Sequence, residues 1–205
     1  FTTCGWMMWN WLVTGLASKA TLVLYDGSPF YPKPESLIDI AVQEEISVFG
    51  VSAKYIAALK KSDARLVRTH DLRSLHTILS TGSPLSDDSF RYVYEEIKSD
   101  VALASISGGT DILSAFVLGH PHLPVWEGEI QCKALGMAVE IWDENGFSVT
   151  KKKGELVCTK PFPSAPIYFW NDTENQKYLS AYFKTFPGVW AQGDYAEITE
   201  HEGVV

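Results

Sequence analysis

The chain has 205 residues, 46% hydrophobic and 13% aromatic, enough for one sizeable domain with a substantial core and incompatible with wholesale disorder. Its net charge of -8, with no basic block beyond the turn-like Lys151-Lys152-Lys153, argues against a nucleic-acid partner. Three cysteines lie far apart without metal-ligand spacing, no run approaches the roughly 18 apolar residues of a membrane span, and no signal peptide is visible, so a reducing, cytosolic setting is expected.

Lys19 and Asp26 interrupt an apolar N-terminal region. Pro34 can open a helix whose Leu37, Ile38, Ala41 and Val42 share one face. Ile46 to Val51 reads as a buried strand, after which Ser52 caps a helix carrying Tyr55, Ile56 and Leu59. His76 to Ser80 is the next strand and feeds the loop Thr81-Gly82-Ser83-Pro84. Ser86 then caps a helix with Phe90, Val93, Tyr94 and Ile97 inward, leading to the strand Val101 to Ile106 and a loop from Ser107 to Asp111. Strands alternating with helices predict a parallel sheet. The second half changes character. Met137 to Trp142, Gly154 to Thr159 and Ala191 to Ile198 read as strands separated by turns at Asp143-Glu144-Asn145-Gly146 and by a loop with Pro161, Pro163 and Pro166. The expected fold is therefore α/β, a parallel βαβ portion over 1–130 and an antiparallel β subdomain over 131–205. Phe1 is not an initiator, and a strand should be starting where the chain stops at Val205. A portion of a longer protein is the expectation.

Ligands of open α/β sheets sit beyond the carboxyl ends of the strands. Two loops follow strands at that end, Thr81 to Pro84 and Ser105-Ile106-Ser107-Gly108-Gly109-Thr110-Asp111. Their small residues leave room for a base and a ribose phosphate to approach the backbone. Thr110 is suited to a phosphate oxygen, Asp111 to magnesium, and Asp194, after Gly193 on a strand, to a pair of ribose hydroxyls. Turn glycines and a capping aspartate would explain the same residues without any ligand. The five histidines are scattered without metal spacing.

The order Gly5-Trp6, Gly82-Ser83-Pro84, Ser107-Gly108-Gly109-Thr110-Asp111, Gly154-Glu155-Leu156 and Gly193-Asp194 resembles the adenylate-forming acyl-CoA synthetases. Longer matching segments are Phe1 to Trp11, Ile78 to Leu85, Ser105 to Ile112, Leu135 to Glu140 and Phe169 to Asp172, in the right order over the whole chain. The resemblance implies ATP and coenzyme A as substrates with magnesium, small-molecule partners only, and an incomplete AMP-binding domain, part of the large N-terminal domain. It also implies that the lysine-bearing phosphate loop upstream and the C-terminal lysine domain downstream lie outside these 205 residues.

Carried over by residue, Gly82, Ser83 and Pro84 with Ser105, Ile106, Ser107, Gly108, Gly109 and Thr110 would sandwich the adenine. Thr110 would contact the α-phosphate as the catalytic residue, Asp111 would hold magnesium with a shorter reach than the family's glutamate, and Asp194 would hold the ribose. Gly154-Glu155-Leu156 is assigned no chemistry. Trp6, Met7, Met8, Thr81 and Gly108 would line the acyl pocket. Acetate-using relatives carry bulky tryptophans where Ser107, Gly108 and Gly109 stand here, so the pocket is expected to take a longer keto acid, acetoacetate, for lipid synthesis. The isolated chain is expected to be inactive. Alternatives are a synthetase for another short-chain acid, or a truncated remnant that binds nucleotide without catalysis.

Overall fold

In the computed structural model, which describes all residues Phe1–Val205, internal contacts divide the chain into two units, 1–106 with 119–128 and 107–118 with 129–205.

The first unit begins with α1 (Met7–Thr14), which buries none of its residues, followed by a 3-10 turn at Gly15–Ser18. Helix α2 (Ser36–Gln43) starts two residues after Pro34 and buries Leu37, Ile38 and Ala41. Strand β1 (Val48–Ser52) then passes into α3 (Ala53–Lys61). Ser52 caps α3 as expected, its hydroxyl accepting from the Tyr55 amide at 3.2 Å. Tyr55, Ile56 and Leu59 are buried on the inner face, while Lys60 and Lys61 complement the carboxyl end. After the single turn α4 (Leu66–Thr69) come β2 (Thr77–Thr81), α5 (Asp87–Tyr92) and β3 (Ala102–Ser105). The three strands form a parallel sheet in the order β1-β2-β3. Ser52 pairs with Thr81 and Ser80 with Ser105, so the carboxyl ends finish level. Ile38, Ile56, Leu59, Ile78, Phe90, Val93 and Leu103 fill the core around it.

Two expectations for this unit need correction. Ser86 stands at the N-cap of α5, but its hydroxyl pairs with Ser89 Oγ at 2.9 Å and caps no amide. The helix also does not run evenly to Ile97; it widens into a π-turn over Val93–Ile97, which still buries Val93 and Ile97.

The second unit holds two antiparallel three-stranded sheets. One pairs β4 (Ser107–Gly109) with β5 (Ser114–Leu118) and β5 with β6 (Cys132–Lys133). The segment expected as a loop after β3 is therefore mainly a strand, and only Thr110 to Leu113 form its turn. The reason is local: with no side chain at Gly108, the backbone of β5 can lie against it closer than any Cβ permits. The other sheet is β7 (Val139–Trp142), β8 (Gly154–Cys158) and β9 (Trp190–Ala196), in that order, close to the strands expected. Helix α6 (Gln176–Tyr182) was not foreseen. Its amino end has no cap from Asn175; instead the Asp172 carboxylate accepts from the amides of Lys177 at 3.1 Å and Tyr178 at 2.9 Å. Ile112, Phe116, Ile141, Leu156, Trp190 and Val204 make this unit's core. No helix of the protein is long and apolar enough to cross a membrane.

Candidate functional site

The expected site residues fall in both units. Trp6, Met7, Met8, Thr81, Gly82, Ser83, Pro84, Ser105 and Ile106 belong to the first; Ser107, Gly108, Gly109, Thr110, Asp111 and Asp194 belong to the second.

In the first unit the chain leaves β2 at Thr81, whose hydroxyl donates to the Ile106 carbonyl at 2.9 Å. That bond ties the exits of two parallel strands, so the two loops start from a fixed base. Gly82 follows at φ +85°, with the Trp6 indole 3.5 Å from where its Cβ would stand. Ser83 and Pro84 are exposed. Trp6 is thus brought against the glycine loop, while Met7 and Met8 lie half-buried on α1.

In the second unit Thr110 and Asp111 stand exposed at the head of the β4–β5 turn, which Leu113 closes at φ +49°. The Tyr182 hydroxyl donates to Asp111 Oδ2. Burial pushes the Tyr182 phenol upward, and the Asp111 carboxylate adds to it. Tyr182 reaches Asp111 from α6 because its ring stacks on Trp190, centroids 3.6 Å apart and planes at 12°. Trp190 is itself buried among Phe116, Phe162, Tyr178 and Phe183. An aromatic wall therefore stands behind the carboxylate.

Asp194 is aimed by a bulge. Glu155 pairs with Tyr195 and Val157 with Ala191, so Leu156 alone faces Gln192, Gly193 and Asp194. Gly193 absorbs the irregularity at φ +89°, a region that disfavours side chains. The Gly193 amide, freed from the ladder, donates to Glu155 Oε1 at 2.7 Å. The Gly154-Glu155-Leu156 motif, given no chemistry from sequence, thus anchors the bend that presents Asp194.

Gln192 connects the parts. Its Oε1 accepts from the Trp190 indole nitrogen at 3.3 Å, and its Nε2 donates to Asp194 Oδ2 at 2.8 Å and to the Gly108 carbonyl at 3.3 Å. The strand after Gly193 and the strand before Thr110 are joined through this one amide. Sequence reasoning missed Gln192, Glu155 and Tyr182. The spacing of Trp190, Gln192 and Asp194, every second residue of a strand, was the available signal for the first.

Gly108 has a packing role that volume reasoning missed. A Cβ there would lie 2.1 Å from the Ser114 carbonyl oxygen and 2.7 Å from Ala115 Cα. Its small size is required by the β4–β5 pairing, whatever it contributes to an acyl pocket. No group of three or more His, Cys, Asp or Glu side chains converges as a metal cage. Asp111 is the single carboxylate of the turn, which suits a cation that takes its other oxygen ligands from elsewhere.

This arrangement of elements has counterparts among solved structures. The structure of acetoacetyl-CoA synthetase from Streptomyces lividans superimposes with a TM-score of 0.95 at 44% identity, over 100% of this chain and 32% of that one. An anthranilate CoA ligase, AuaEII, solved with anthranoyl-AMP, gives 0.74 at 19% identity over 90% of this chain and 33% of its own, a likeness of fold. No family model matches. The chain is homologous along its entire length to acetoacetyl-CoA synthetases: it is 60% identical over 205 residues to that of Rhizobium meliloti (strain 1021) and 55% over 203 residues to that of Mus musculus. It spans 32% and 30% of the length of those two relatives.

Proposed function

We propose that this chain is the central nucleotide-binding part of an AMP-forming acid–thiol ligase that converts acetoacetate, ATP and coenzyme A into acetoacetyl-CoA, AMP and pyrophosphate in the cytosol. In the first half-reaction a carboxylate oxygen of acetoacetate attacks the α-phosphorus, the α–β anhydride bond breaks, and pyrophosphate leaves. In the second, the coenzyme A thiolate attacks the acyl carbonyl and AMP departs with the bonding electrons.

Gly82 to Pro84 and Ser105 to Thr110 hold the adenine, and the Thr110 hydroxyl donates to an α-phosphate oxygen. Asp194 accepts from the ribose hydroxyls. Asp111 would hold Mg2+, which when bound offsets phosphate charge as pyrophosphate separates. The Tyr182 hydroxyl holds one oxygen of that carboxylate. The observation that carries the reading is that one side chain, Gln192, hydrogen-bonds both the Gly108 carbonyl and Asp194. A ribose-directed carboxylate and a phosphate-directed turn are thereby held in fixed relation, as catalysis by positioning requires.

The test is AMP formation by the complete polypeptide that carries these residues, with acetoacetate or acetate as the acid. Turnover that favours acetoacetate is expected, and the isolated 205 residues should show negligible turnover because cationic clamps on the phosphates lie elsewhere. A folded complete enzyme that forms no AMP with either acid would refute the proposal.

A further inference from the structure

We infer that Gln192 is a positioning residue for the nucleotide ribose, acting through Asp194; the inference rests on the function proposed above. A strand carboxylate such as Asp194 has rotational freedom about two bonds, and a mobile acceptor loses part of its affinity to ordering. Here one oxygen, Oδ2, is fixed by the Gln192 amide at 2.8 Å, which leaves Oδ1 to accept from a ribose hydroxyl. The amide cannot flip without penalty. Its Oε1 accepts from Trp190 Nε1 and its Nε2 donates to two oxygens, so an inverted amide would set oxygen against oxygen twice and N–H against N–H once. The indole that starts this chain is buried and stacked by Tyr182, which fixes the far end. Buried Trp190 therefore orients Gln192, and Gln192 orients Asp194.

The bulge makes the arrangement possible. In a regular ladder Gln192 and Asp194 would point the same way but lie a full pleat apart. The extra residues opposite Leu156, held by the Gly193 amide on Glu155, draw the two together. Gly109 provides the space: a Cβ there would come within 2.8 Å of Gln192 Oε1.

The experiment compares ATP with 2′,3′-dideoxy-ATP, which lacks the hydroxyls Asp194 reads, in the complete enzyme and in its Gln192→Ala and Gln192→Glu variants. The KM for ATP should rise about tenfold in Gln192→Ala, the size expected when a charged acceptor loses its orienting donor. The KM for the dideoxy analogue should stay unchanged. Gln192→Glu keeps the volume but removes the donor, and should lose the discrimination at least as fully. Variants that retain the wild-type ratio of the two KM values would overturn the inference while leaving the functional proposal intact. Equal losses for both nucleotides would also overturn it, since they mark a merely structural residue. A wild-type enzyme that does not distinguish the two nucleotides would instead remove the ribose assignment itself.

Discussion

Alanine at Gly108 and alanine at Gly109 should behave as opposites, although the two glycines are adjacent. At Gly108 the new Cβ would stand 2.1 Å from the Ser114 carbonyl oxygen, 2.7 Å from Ala115 Cα and 3.0 Å from the Ser114 carbonyl carbon. All three are backbone atoms of the paired strand, so no rotamer change relieves the overlap. Strand β4 must separate from β5, breaking the pairing of Ser107 with Val117 and of Gly109 with Ser114. Forced overpacking costs about 1–3 kcal/mol, and each ladder hydrogen bond lost adds about 1 kcal/mol. A destabilisation of about 3 kcal/mol or more follows, or a fall in Tm of about 6–12 °C for a domain of this size. At Gly109 the nearest atoms are Gln192 Oε1 at 2.8 Å and Ile112 Cγ1 at 3.4 Å. The first is the end of a side chain that can rotate aside at the loss of some of its hydrogen bonds but of no strand pairing, so the cost should be smaller, about 1–2 kcal/mol. Thermal and urea denaturation of both variants, followed by circular dichroism, decides the matter. Equal midpoints, or a larger loss at Gly109, would refute the reasoning.

Trp190 packs against four phenylalanine and tyrosine rings besides its stack on Tyr182, and Trp190→Ala should cost about 3–5 kcal/mol in urea titration; a loss below about 1 kcal/mol would contradict the packing described. Asp172→Ala removes the acceptor for the first amides of α6 and should cost about 1–2 kcal/mol, with Asp172→Asn recovering part of it. No recovery and no loss would show the cap to be idle. Burial pushes the phenols of Tyr55, Tyr92 and Tyr182 upward, with carboxylates at Glu35, Glu96 and Asp111 adding to it. The folded state thus holds protons that the unfolded chain releases at about pH 10, so stability is full below that pH and falls as pH rises beyond it. Phenolate absorbance should lag behind that of free tyrosine until unfolding sets in. Complete ionisation at about pH 10 with the fold intact would disprove it.

The parallel half of the fold was legible because its signals are local. Ser52 precedes an apolar face at helical spacing, and it caps α3 as read. Ile78 and Ser80 alternate with half-buried neighbours along β2. Helix α6 escaped notice because nothing in Asn175-Gln176-Lys177 announces a helix start. The cap comes from Asp172, in the turn before it, and the helix is held by aromatic packing onto Trp190. The glycine pair was legible as a place of close approach, but the approach of the β5 backbone at Gly108 was not foreseen. A sequence displays the missing side chain at Gly108, and only the fold reveals that a neighbouring backbone fills the space.

Residue order alone therefore determined the class of fold and the loop that follows β2, and it nominated Thr110, Asp111 and Asp194 as candidates. Those follow from periodicity, capping and short motifs, each confined to a few successive residues. The tertiary structure decided what holds these residues in place: Glu155 on the Gly193 amide, Tyr182 on Asp111, and Gln192 between Gly108 and Asp194. Their partners lie 38, 71 and 84 residues apart in the chain. Such contacts depend on sheet register and on a bulge of Gln192, Gly193 and Asp194 against Leu156, and register is a property of two strands together that neither carries alone.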